Sequence, residues 1–200
     1  AFKKGSIPLT VANIASGVKI LLNEGGQNVE IDTRSGIVNK NIEEILSNHR
    51  RDPLRFPAEQ ASADIRGIVM HAIKEGIKST GLALEAFETP DKTFYLRHKE
   101  FGEDHTFSVT TNLPGLLTRQ ANIAELAEPG IDVAGRIGGQ AARGKGQYLT
   151  AIHGGSPAKG ITIQYDRTIG LKEVPIKNEL GEFIGLEFVE ETQEEIVGSP

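Results

Sequence analysis

The residues with the most chemistry to offer lie between two candidate strands. His98 and His105 flank Glu100, Glu103 and Asp104. Imidazole together with carboxylate is a zinc-compatible donor set. The spacing is not that of a helical H-E-x-x-H site, in which residues four apart share a face. These side chains sit on a loop, and a charged loop tip reads first as a solvated turn. The other histidines are His49, His71 and His153. His71 follows Met70 among apolar positions and reads as the polar edge of a buried helical stripe. The chain has no cysteine, which excludes a disulfide framework, a thiolate metal site and a cysteine nucleophile. That lack suits a chain exported unfolded into an oxidising exterior.

A second pattern invites a nucleotide reading. Gly139-Gln140-Ala141-Ala142-Arg143-Gly144-Lys145 fits the spacing G-x-x-x-x-G-K. A phosphate loop of this kind needs Ser or Thr next, to hold magnesium, and a helix whose N-terminus faces the phosphates. Here Gly146 follows, then Gln147-Tyr148-Leu149-Thr150 and Gly154-Gly155. Each glycine inside a helix costs about 1 kcal/mol relative to alanine, so this stretch is no helix. Asp166, after Ile161–Tyr165, only imitates the aspartate that completes such sites. A serine-hydrolase elbow G-x-S-x-G is also missing, because Gly154-Gly155-Ser156-Pro157 ends in proline. On these grounds no catalytic, cofactor-binding or metal-ligating residue is assigned, no cofactor is expected, and the chain is read as a non-enzyme. Arg136, Arg143 and Lys145 form a small basic patch suited to anionic sugars or to solvation of a Gly-rich hairpin.

Positioning these groups requires a β-rich framework. Residues 6 to 31 read as strands: Ile7, Leu9 and Val11 alternate, then Val18, Ile20 and Leu22, then Val29 and Ile31, broken at Gly17 and Glu24–Asn28. Thr33–Asn48 reads as a short helix, with Ile42, Ile45 and Leu46 at helical spacing. It ends before Asp52-Pro53 because the residue preceding proline avoids the α region. The strongest helix signal covers residues 62–79, with Ser62 as N-cap. Its Ile65, Ile68, Val69, Ala72, Ile73 and Ile77 fall on one face, so Ile68→Asp is expected to unfold the first domain. Strands follow at Leu82–Phe87, Phe94–Arg97 and Thr106–Thr110, the first two joined by a Pro90-Asp91-Lys92 turn. Asn122–Glu128 allows one helical turn. Many of the 23 glycines fall between Gly130 and Tyr165, where they punctuate short apolar pieces in the manner of a β-meander. Beyond it, Asp166–Gly170 reads as a turn, Leu171–Ile176 with Pro175 as an edge strand, and Gly181–Glu190 as a strand returning beside Ile161–Tyr165. Glu187, Glu190, Glu191, Glu194 and Glu195 make the end acidic, a solvated face or tail.

The expected fold is therefore α+β, β-rich, in two small domains. Residues 1–118 form a sheet with one or two packed helices, 119–130 a linker, and 131–200 a mainly antiparallel β domain. No run of about 18 apolar residues exists to span a membrane. The net charge of −5 argues against a nucleic-acid partner, since phosphate backbones call for a basic face.

The second half also resembles a known family. Val133-Ala134-Gly135, Ile137-Gly138, Ala141-Ala142-Arg143-Gly144-Lys145-Gly146-Gln147-Tyr148-Leu149-Thr150 and Ala158-Lys159-Gly160-Ile161-Thr162-Ile163-Gln164-Tyr165 are similar to the flagellin hook IN motif of bacterial flagellar axial proteins. Gly138 stands where Asn or Asp is usual, and Arg136 where a small polar residue is usual. The first half adds Ile65–Ile73, then Phe94–His98, Glu100-Phe101-Gly102 and Phe107-Ser108-Val109 in the order that family uses. The likeness implies a secreted, extracellular structural protein of the bacterial flagellum, the surface-exposed middle domains of a flagellin or hook-associated protein serving motility. Its partners would be other axial subunits, engaged through regions outside these residues, and the fragment alone is expected to be monomeric. The alternatives are a filament cap module and an extracellular adhesin or carbohydrate-binding module.

Overall fold

The computed structural model describes residues 1–154, 158–177 and 183–198, with backbone only beyond Tyr165. The protein is α+β and β-rich, and it divides into two compact units, Ala1–Gly130 and Ile131–Pro200.

The first unit runs β1 (Phe2–Lys4), α1 (Val11–Ile14), β2 (Lys19–Glu24), β3 (Gln27–Asp32), α2 (Gly36–Arg51), α3 (Ala58–Thr80), β4 (Leu84–Glu88), β5 (Phe94–His98), β6 (Ser108–Thr111) and β7 (Glu125–Leu126). Two antiparallel sheets result, β1-β5-β4 and β3-β2-β6-β7. The β2–β3 hairpin turns on Gly25 and Gly26, whose φ values of 57° and 84° are those a two-residue hairpin loop demands. α3 packs against α2, β3 and β4 and ends on Gly81, left-handed at φ 73°, as helix C-termini commonly do. Ile65, Val69, Ile73 and Ile77 of α3 join Ile20, Leu22, Leu84, Phe94, Leu96 and Phe107 in one continuous core. Arg66 of α3 is buried as well. Its Nε donates to Glu88 Oε1 at 2.8 Å and its guanidinium reaches the Leu9 carbonyl at 3.3 Å, so the charge is paired where it leaves water.

Several sequence expectations are corrected in this unit. Ile7, Leu9 and Val11 do not form a strand. The Thr10 hydroxyl accepts from the Asn13 N–H while Asn13 Oδ1 accepts from the Thr10 N–H, a reciprocal cap that starts α1 at Val11. Ser62 is not the N-cap of α3, which begins one turn earlier after Pro57. Ser62 is buried, donating to the Ala58 carbonyl at 2.6 Å and accepting from the Val11 N–H at 3.1 Å. Ile68 is only half-buried, and the deeply buried face runs through Ile65, Val69 and Ile73. The stretch 119–130 is not a linker. Ala127 is buried in the core, β7 pairs with β6, and the Glu128 N–H donates to the Phe2 carbonyl. Glu125 starts β7 instead of a helical turn, because its carboxylate accepts from Lys3 Nζ at 2.7 Å and from the N–H groups of Arg119 and Gln120.

The second unit is an antiparallel sheet in meander order: β8 (Gly135–Ile137), β9 (Gln140–Lys145), β10 (Tyr148–Thr150), β11 (Thr162–Lys177) and β12 (Phe183–Gly198). Asp166–Gly170 continues β11 and is no turn. It pairs with β12 residue by residue, Asp166 opposite Glu195 and Gly170 opposite Glu191. The strand expected at Gly181–Glu190 does not return beside Ile161–Tyr165: its described residues pair with the far part of β11, Glu190 opposite Leu171 and Phe183 opposite Lys177, and it is the end of β12 that lies beside Ile163–Tyr165, Ile196 opposite Tyr165. The side chains of the acidic β12 residues, and the tested elbow residues Gly155-Ser156-Pro157, lie outside the described residues. Among the residues of this unit whose side chains are described, Ala151 is the one buried hydrophobic. Among the described residues no helix is long and apolar enough to cross a membrane.

Candidate functional site

Two strands and a loop assemble the histidine cluster. His98 is the last residue of β5, and its N–H is taken by the Ala1 carbonyl at 2.8 Å. Alternation along β5 turns Phe94, Leu96 and His98 inward, so the His98 side chain is only 4% exposed. A buried imidazole requires partners for both nitrogens, and it has them. Nε2 lies 2.5 Å from Glu24 Oε1. Nδ1 lies 3.0 Å from the Glu100 N–H. Nδ1 also lies 3.2 Å from the Glu100 carbonyl oxygen; the Glu24 carboxylate only accepts, so Nε2 carries a hydrogen, and in the neutral ring Nδ1 is the acceptor of the Glu100 N–H. Glu24 is itself held, since its other oxygen accepts from the Ala83 N–H at 2.7 Å.

The loop after β5 brings up two more donors. His105 stacks on His98, ring centroids 4.8 Å apart and planes 22° from parallel. Its Nδ1 is 3.1 Å from Glu100 Oε2. One donor atom each from His98, Glu100 and His105 falls within 4.8 Å of the others. Glu103 and Asp104, grouped with them from sequence, do not join this triplet. Glu24 went unnoticed in the sequence, because 74 residues separate it from His98 and no local pattern marks it. Only the placement of β2 beside the end of β5 creates the pair.

The glycine-rich stretch is built differently. Gly139 sits in the β8–β9 turn with Gly138, at φ 79° and 59°. Gln140 to Lys145 form β9 and lead straight into β10, with no helix between. The Gly146 N–H, where a phosphate loop would present an amide to its ligand, donates to Asp132 Oδ1 at 2.9 Å. The Gly146 carbonyl accepts from the Val133 N–H at 2.9 Å. Gly144 passes so close to the Val133 carbonyl oxygen that a Cβ there would overlap it. Converging amides and a helix N-terminus are what phosphate binding needs, and this arrangement supplies neither.

The basic patch does come together. Arg136 lies opposite Ala141, and Arg143 and Lys145 follow at two-residue steps, with Tyr148 opposite Lys145. Directly paired residues and alternate residues share a face, so Arg136, Arg143, Lys145 and the exposed Tyr148 line one side of the sheet. Two of the three remaining histidines are accounted for structurally or by position. His49 Nδ1 bonds the Phe56 carbonyl at 2.7 Å across the α2–α3 connection, and His71 lies exposed along the α2–α3 groove. Comparison with protein-family models, curated proteins and solved structures found no match.

Proposed function

We propose that this chain is a surface-exposed building block of a bacterial flagellar axial polymer, extracellular and without catalytic activity. The reading rests on one observation about residues 131–165. The glycines of the hook-IN-like spacing have structural employment there: Gly138, Gly139 and Gly146 adopt positive φ at turns, and Gly144 allows two backbone segments to touch. A pattern explained by backbone geometry asks for no ligand. Polymerisation through regions outside these residues would repeat the same decoration along a helical filament, since head-to-tail contacts between identical subunits generate open helical polymers. Immunogold labelling of the source bacterium with antibodies against residues 1–200 tests the proposal. Label along the filament supports a flagellin or junction protein, and label at the tip supports a cap. Label confined to the cell body would overturn the assignment.

A second reading has one observation in its favour. The shared face of Arg136, Arg143, Lys145 and Tyr148 combines cations with an exposed aromatic ring, a surface suited to an anionic glycan. Glycan-array binding lost in an Arg143→Ala/Lys145→Ala variant would support an adhesive role on the same scaffold.

A further inference from the structure

We propose that His98, Glu100 and His105 form a binding site for one divalent transition cation of the zinc class, with Glu24 orienting His98 from behind. A metal-bound histidine typically gives its other ring N–H to a carboxylate, which fixes the tautomer and the ring direction. His98 already has that arrangement: Glu24 holds Nε2 at 2.5 Å, and Nδ1, which carries the lone pair of the neutral ring, meets the N–H and carbonyl of Glu100 in the loop. The amide at that lone pair belongs to Glu100, the residue whose carboxylate would become the second ligand. Binding therefore exchanges one hydrogen bond for a coordinate bond within the same short loop. His105, stacked on His98 and beside Glu100 Oε2, provides the third donor.

The donor set selects the metal. Two imidazoles and one carboxylate suit zinc, cobalt, nickel or copper and do not suit calcium or magnesium, which prefer oxygen ligands. Bonds of about 2.0–2.2 Å in a tetrahedron put ligand atoms roughly 3.3 Å apart. The three atoms lie within 4.8 Å, so a closure of about 1.5 Å is required. Glu100 and His105 are free to supply it, with side chains 64% and 32% exposed, while His98 stays fixed by burial. Three protein ligands leave a fourth position open to water or to a donor from a neighbouring subunit. The consequence in a cysteine-free chain is a cation clip that fastens the loop between β5 and β6 where a disulfide is impossible.

The test uses the full chain, stripped with chelator and titrated with zinc against a chromophoric competitor, and with cobalt(II) for its visible spectrum. The expected result is saturation at one cation per chain, four-coordinate cobalt bands, and a rise in Tm that chelator reverses. His105→Ala and Glu100→Gln should each weaken binding at least tenfold while the far-ultraviolet circular dichroism stays unchanged, both side chains being partly exposed. Glu24→Gln should weaken it about 10–100-fold without removing a ligand. Absence of saturable binding to the unmodified chain would overturn the site, as would unchanged affinity in the His105→Ala/Glu100→Gln double variant.

Discussion

Gly144→Ala separates close backbone approach from backbone conformation in the second unit. Gly144 does not carry a positive φ, so alanine meets no conformational objection there. Its Cβ would instead overlap the Val133 carbonyl oxygen, and a backbone atom cannot rotate aside. The segment 132–133 must then move off β9. That segment is held by two hydrogen bonds of 2.9 Å, Val133 N–H to the Gly146 carbonyl and Gly146 N–H to Asp132 Oδ1. Losing both at about 1 kcal/mol each, with overpacking strain of about 1–3 kcal/mol, gives about 3–5 kcal/mol. Gly139→Ala is the control. Gly139 has φ 79° and open space around it, so alanine costs about 1–2 kcal/mol of left-handed strain. Native-state hydrogen exchange by mass spectrometry on the full chain reads the difference locally. Amides 131–150 should lose at least about fivefold more protection in Gly144→Ala than in Gly139→Ala. Equal losses, or a larger loss in Gly139→Ala, would refute the packing argument and leave glycine conformation as the governing term.

Other expectations follow from burial and charge. Ile65 is fully buried whereas Ile68 is half-exposed. Ile65→Asp should therefore unfold the first unit through an uncompensated buried charge, and Ile68→Asp should leave it folded with a reduced urea midpoint. The Lys3 ammonium, followed by the Arg119 and Gln120 amides, holds the Glu125 carboxyl below its ordinary 4.5. A depressed folded pKa stabilises fully above the unfolded value and is lost as pH falls through the folded one. Urea midpoints should consequently drop below about pH 4.5, and Glu125→Gln should flatten that part of the profile; an unchanged slope would count against the pairing. Lys145 is exposed on β9, and Lys145→Ala should change stability by less than about 0.5 kcal/mol, measured by denaturant unfolding. Stabilisation by ATP that this variant abolished would restore the nucleotide reading.

Local chemistry made much of this protein legible from its residues alone. The Gly25-Gly26 hairpin, the α3 stripe, the Pro90-Asp91-Lys92 turn and the meander glycines all act through neighbours in sequence, where φ preference and periodicity operate. The α+β class followed from them. Errors clustered where distant groups compete with local preference. One error was itself local, the reciprocal Thr10–Asn13 cap that starts α1 inside an alternating apolar run; the others were not. Ser62 serves Val11 rather than its own helix end, and Lys3 recruits Glu125 across the chain, drawing an apparent linker into the first unit. The histidine pair was visible as composition on a loop, but Glu24, the carboxylate that holds His98 Nε2, was not. Burial and tautomer depend on what the fold brings to the other side of a ring, and that is a property of β2 meeting β5, which no window of consecutive residues contains.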